Sequence, residues 1–195
     1  MTLTLCRSAS LLVLAFLGST AAASGPAHLE GTSSGKLVVD RQSTPLTYAY
    51  ARAEKGFFDP SKEDIRVILS DVPLSDEALN DDSTRSHLAQ DGKLHSVEVV
   101  IDAEKRPISG VLRHAAFART QGFVSVSGMH RFEPKTFDGR FVEGKLATDR
   151  SSEFMNVSFA YEATFRAPVW RTPATPTPGS PRSRRTASPG KGPRS

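Results

Sequence analysis

The sequence predicts a mostly β domain: an antiparallel meander of about eight short strands, closed as a small barrel or packed as a two-sheet sandwich, with one short helix. Two observations carry this reading. Apolar residues recur with a period of two through nearly all of residues 35–169, the periodicity of a strand with one buried face. Turn-forming residues interrupt that pattern at short intervals, as hairpins between sequential strands require. The barrel is preferred to the sandwich, because sequential strands read as hairpin-connected and closure removes exposed edges.

The elements follow in order. GKLVVD (residues 35–40) and PLTYAYARAE (45–54) read as a first hairpin turning at 41–44, with Leu46, Tyr48 and Tyr50 alternating with smaller residues. DIRVILSD (64–71) sets Ile65, Val67 and Leu69 on one face. SVEVVID (96–102), ISGVLRHAAF (108–117), FVSVSGMHRFE (123–133) and RFVEGKLATD (140–149) continue the meander. EFMNVSFAYEATF (153–165) reads as one unbroken strand, with Met155, Val157, Phe159, Tyr161, Ala163 and Phe165 pointing one way. Residues 74–92 break the pattern. Ser75 is placed as an N-cap, and Asp76 and Glu77 follow in the first turn, where the helix dipole favours acids. Leu74 and Leu79 suit a hydrophobic staple, and Gly92 suits a C-terminal stop. This one polar helix is expected across an open end or edge of the sheet.

The ends of the chain differ from the body. Arg7, the apolar run LLVLAFLG (11–18) and Ala21-Ala22-Ala23 read as a secretory signal cleaved after Ala23. The run is too short to cross ~30 Å of hydrocarbon, so no transmembrane segment is expected in the mature chain. The only cysteine, Cys6, lies within that signal, so the mature chain has no disulfide or thiol chemistry and needs a real core. A disulfide-free exported domain points to a bacterial periplasmic or secreted protein. The sequon Asn156-Val157-Ser158 is read as a chance match. Residues 24–34 read as a linker, 35–169 as a single domain and 170–195 as a disordered basic tail. From Arg171 onward that tail holds six prolines, six Arg or Lys and no acid, a composition that cannot bury enough surface to fold. The formal charge of +4 is therefore uneven: residues 24–170 carry a net −3. The basic overall balance does not indicate a nucleic-acid-binding domain, and no aromatic RNP-type motif or basic helix supports one. The tail could touch an anionic surface; an appendage without a partner is the preferred reading.

Three histidines are the candidate site residues. A two-residue turn at Glu104-Lys105 pairs Val97 with Leu112, Val99 with Gly110 and Ile101 with Ile108, which joins apolar side chains and so fixes register. The same register sets His95 opposite His114, with Cβ atoms ~5 Å apart. A turn at ARTQG (118–122) pairs Phe117 with Phe123, Val126 with His114 and His130 with Gly110. His130 then lies ~13 Å along the strand from the pair and cannot complete one metal site with it. Beyond Phe132 two registers stay open. A turn at Asp138-Gly139 sets Lys145 opposite Phe132, and a turn at Pro134-Lys135 sets Phe137 there.

Three readings of His95 and His114 compete. The preferred one is a polar pair at the sheet rim, satisfied by water or backbone. The second is a pocket in which His95, His114 and His130 give an otherwise apolar ligand its few directional hydrogen bonds. The third is a metal site through His95 and His114 with a carboxylate, for which a closed zinc site lacks named ligands. No cofactor is implied.

Other chemistry is missing from the sequence. There is no His-Glu-x-x-His and no Gly-rich phosphate loop. GFVSVSG (122–128) has the wrong spacing for a nucleophile elbow. Asp81-Asp82 reads as a solvated helix face, Phe137-Asp138-Gly139-Arg140 as a turn, and Tyr48, Tyr50 and Tyr161 as core rather than sugar-stacking residues. No catalytic residue is assigned. The expected function is an exported, most simply non-catalytic, domain that binds a small apolar ligand or an envelope or protein partner. The alternative is a small exported hydrolase, with metal assistance through His95 and His114 as one form of it.

Overall fold

A computed structural model describes residues 30–171. The expected signal with Cys6, residues 24–29 of the expected linker, and the tail beyond Arg171 lie outside the described residues. The period-two segments become ten strands: β1 (Gly31–Val39), β2 (Gln42–Lys55), β3 (Glu63–Ser70), β4 (Ser96–Ile101), β5 (Pro107–Arg113), β6 (Phe123–Val126), β7 (His130–Phe137), β8 (Phe141–Thr148), β9 (Ser152–Phe154) and β10 (Val157–Arg171). They form one sheet in the order β6-β5-β4-β3-β2-β1-β10-β8-β7, with β9 on β10. Sequential neighbours are antiparallel, and β10 returns to pair with β1. Where β1 begins, β2 and β10 meet directly as a short parallel pair, Val169 with Ala51 and Arg171 with Ala53. Among the described residues no helix is long and apolar enough to cross a membrane.

The mostly β, antiparallel meander is as expected, but the sheet does not close. Its two edges, β6 and β7, are consecutive in the chain and unpaired with one another. The His130 ring occupies this seam. It lies over Gly110 so closely that a Cβ there would stand 2.2 Å from Nε2. A side chain of β7 thus packs against β5 and the end of β6 across the open seam. Strand β1 starts inside the stretch read as linker. Gly31 and Gly35 bring it so close to β10 that a Cβ on Gly35 would sit 2.3 Å from Ala163.

Side-chain alternation gives the sheet two buried faces. Leu37, Leu46, Val67, Val97, Leu112 and Phe165 belong to one continuous inner core. On the opposite face, Tyr50 and Ile68 pack against Leu79 of α1 (Asp76–Asn80). A second helix, α2 (Asp82–Gln90), covers β4 and β5 on this outer face, its Arg85 bonded to Glu98 of β4. The expected single helix is therefore two. Ser75 caps α1 as predicted, its side chain accepting from the Ala78 amide. Asp81 then captures the Ser83 and Thr84 amides with its carboxylate and starts a second helix. Asp81 is a cap, not a bystander on a helix face. Asp82 keeps an exposed side chain but is bonded to Arg85 and Arg113.

Register differs from expectation in three places. The β4–β5 hairpin keeps Val97 with Leu112 and Val99 with Gly110, but a bulge after Val100 pairs Ile101 with Pro107, not Ile108. In β5–β6, Arg113 pairs with Phe123 and Gly110 with Val126. Residues Ala115–Thr120 form a 3-10 helix that turns Phe117 into the core, so the strand ends four residues early. In β7–β8, Phe132 faces Leu146. The reversal does fall at Asp138, whose carboxylate accepts from the Arg140 and Phe141 amides. A bulge between Pro134 and Thr136 then shifts the ladder. The expected strand 153–165 is also divided. Met155 and Asn156 take positive φ (50° and 64°) and make a tight hairpin from β9 to β10.

Candidate functional site

His95 precedes β4, and His114 follows β5 as the N-cap of the 3-10 helix. The structure joins them as the hairpin register requires: their ring centroids are 4.5 Å apart at an interplanar angle of 44°. Asp71, at the end of β3, is the partner the sequence did not reveal. Its carboxylate accepts from the His95 backbone amide at 2.8 Å and from Nδ1 of the ring at 2.6 Å. The His114 Nδ1 accepts from the Ala116 amide at 3.0 Å. In the neutral form of each ring these contacts give the two opposite roles. His95 carries its proton on Nδ1 and leaves Nε2 a lone pair, whereas His114 carries its proton on Nε2. Burial holds the His114 pKa below the usual histidine value, and the adjacent His95 adds to this. The arrangement can accept a proton at one ring and donate a hydrogen bond from the other.

A metal would find two imidazoles here and Asp71 as the carboxylate that orients one of them. Among the described residues no group of three or more His, Cys, Asp or Glu is placed to hold a metal ion. His130 does not join the pair. The Tyr161 hydroxyl donates to its Nδ1 at 2.8 Å, and its Nε2 faces the Val126 carbonyl at 3.4 Å. Burial lowers the His130 pKa and raises that of Tyr161. It does lie against Gly110, as the expected register had it, but it comes from β7 across the seam and not along β6.

A buried ion cluster lies on the outer face. Glu98 is fully buried, and Arg85 and Arg113 are 3% and 0% exposed. Arg85 Nε donates to Glu98 Oε1 at 2.7 Å, and Arg113 Nη1 donates to the same oxygen. Arg85 also donates to the Ala78 and Leu79 carbonyls and so closes the C-terminus of α1. Burial lowers the Arg113 pKa despite Glu98 and Asp82. The sequence signal was a glutamate in the middle of the apolar run SVEVVI. The cluster is enclosed by helix and sheet and serves the fold.

The exposed counterpart follows the C-terminal end of β2. Phe57 and Phe58 are 77% and 72% exposed, far more than aromatic rings usually are. They stack edge to face at 5.0 Å. Their loop is braced. The Phe57 amide donates to Asp64 at 2.8 Å, Gly56 to the Lys62 carbonyl at 2.9 Å, and Asp59 accepts from the Ser61 amide at 3.0 Å. A Cβ on Gly56 would stand 2.3 Å from the Asp59 carbonyl oxygen, so the turn requires glycine. Beneath the rings is a groove of about 230 Å³, lined by Glu54, Arg66, Val100, Ile108 and both phenylalanines. Burial pushes the Glu54 carboxyl up, but hydrogen bonds from Arg66 and Arg52 outweigh it and hold it low. The signal in the sequence was GFFDP, two adjacent aromatics in a turn.

No family model, no curated protein and no solved structure matches this chain.

Proposed function

We propose that this is an exported, non-catalytic binding domain whose recognition surface is the groove under Phe57 and Phe58. The observation that carries the reading is a hydrogen-bonded, glycine-dependent loop that holds two large apolar rings in solvent. Folding gains nothing from that exposure, so the rings are best accounted for by a partner. The groove, about 230 Å³, falls below the ~300–1,000 Å³ of small-molecule pockets. It suits one apolar group of a larger partner better than a whole ligand. Support for export comes from Arg7, the apolar run at 11–18 and Ala21-Ala22-Ala23. Titration with anilinonaphthalene sulfonate tests the surface. The fluorescence rise expected of the native protein should be lost in Phe57→Ser/Phe58→Ser; an unchanged rise refutes the reading.

One observation favours a second reading, a small hydrolase: the Asp71–His95 bond that orients the His95 ring beside His114. Its test is His95→Ala/His114→Ala assayed on p-nitrophenyl esters. An enzyme loses turnover in the variant, and a structural pair shows none to lose.

A further inference from the structure

The loop that carries Phe57 and Phe58 and the C-terminal end of β10 occupy the same pole of the sheet. β10 ends beside β2, with Trp170 paired to Arg52 and Arg171 to Ala53. Two residues further along β2 is Lys55, and Gly56 and Phe57 follow. Arg171, the last described residue, therefore lies on the strand next to the one that presents the aromatic pair. Beyond Arg171 come Arg182, Arg184, Arg185, Lys191 and Arg194, with no acidic residue. Extended, the segment from Arg171 to Arg182 spans at most on the order of 40 Å, enough to reach past the loop.

From this juxtaposition we propose that the pole docks on an anionic phospholipid bilayer. Phe57 and Phe58 enter the boundary between headgroups and acyl chains, and the tail cations lie on the headgroups. This inference rests on the recognition surface proposed above and names its partner. Each signal alone is weak, and stable attachment to a membrane takes two. Most charged residues of the folded pole offer little net attraction, because they are paired, which leaves Lys55 as the cation beside the rings. Lys62 meets Glu104, Arg106 meets Asp102, and Arg171 meets Glu63. Residues 24–170 are net acidic and by themselves would be repelled by an anionic surface. The tail supplies the attraction, and the two rings supply a place to insert.

The test is vesicle sedimentation with the mature chain, residues 24–195. The vesicles are phosphatidylcholine with or without one-third phosphatidylglycerol, at low salt and at about 0.5 M salt. Binding is expected only to the anionic vesicles and should fall with salt. It should weaken by at least about tenfold in a chain ending at Arg171 and in Phe57→Ser/Phe58→Ser. Both rings are mostly exposed, so the substituted protein should keep its melting temperature. Equal binding to neutral vesicles overturns the proposal, as does full binding after either change. No vesicle binding, with anilinonaphthalene sulfonate binding still dependent on Phe57 and Phe58, overturns the membrane partner and leaves the recognition surface standing. Loss of both signals removes both.

Discussion

Replacing Glu98 by glutamine keeps the shape of the side chain and removes its charge. In the native protein one carboxylate serves two fully buried guanidinium groups, Arg85 and Arg113, and a third, Arg66, lies 3.5 Å from its other oxygen. Without that charge the only other acid touching Arg85 and Arg113 among the described residues is Asp82, whose side chain is 65% exposed and therefore well screened. Breaking a buried pair from one side costs about 3–5 kcal/mol, because the remaining charge is left uncompensated. Domains of this size are stable by only ~5–15 kcal/mol, so Glu98→Gln should remove a large part of the total. The melting temperature should fall by roughly 10–20 °C. Guanidinium unfolding followed by circular dichroism and Trp170 fluorescence measures the loss. Glu98→Leu/Arg113→Met removes carboxylate and guanidinium together, and should recover at least half of it. Recovery should stop short of complete, because Arg85 stays buried to hold the α1 carbonyls. A loss below about 1 kcal/mol for Glu98→Gln refutes the reasoning, since it would mean that water already reaches the cluster.

Three further outcomes are expected. His114 and His130 have folded pKa values depressed by burial, so the unfolded chain takes up protons that the fold refuses. Stability is therefore complete above pH ~6.5 and declines as pH falls below it, by up to about 1.4 kcal/mol per pH unit for each histidine. Unfolding curves between pH 5 and 8 measure this, and His114→Gln should flatten the slope. Gly110→Ala drives a methyl into the His130 ring and should cost about 1–3 kcal/mol, with much of it restored by adding His130→Ala. Asp81→Ala removes the cap that separates the two helices and should cost about 0.5–2 kcal/mol, read as a shift of the denaturant midpoint.

What the sequence determined by itself is what short-range geometry determines. The period of two, read with the turn residues, placed nearly every strand, because side chains alternate faces whatever the strand's neighbours are. Ser75 was legible as a cap because it bonds three residues away. The meeting of His95 and His114 was legible too. A tight hairpin converts sequence distance into register, and the apolar pairs Val97–Leu112 and Val99–Gly110 leave that register no freedom. The same arithmetic failed one hairpin later. There Phe117 gains more by turning into the core on a 3-10 helix than by extending the strand, and a local pattern does not record that competition.

Tertiary structure alone decided the rest. Asp71 reaches His95 across a connection that contains both helices, whose path no spacing rule gives. Glu98 is buried because α2 lies over it, and Arg85 and Arg113 arrive from two different elements. The open seam depends on how far a ten-stranded sheet curls, which is the sum of small twists along every strand. The shared pole of Phe57, Phe58 and Arg171 follows from β10 returning to lie beside β2, more than a hundred residues away in the chain. Local alternation fixes which face a side chain takes, but only the closing path of the chain fixes which residues from distant strands meet.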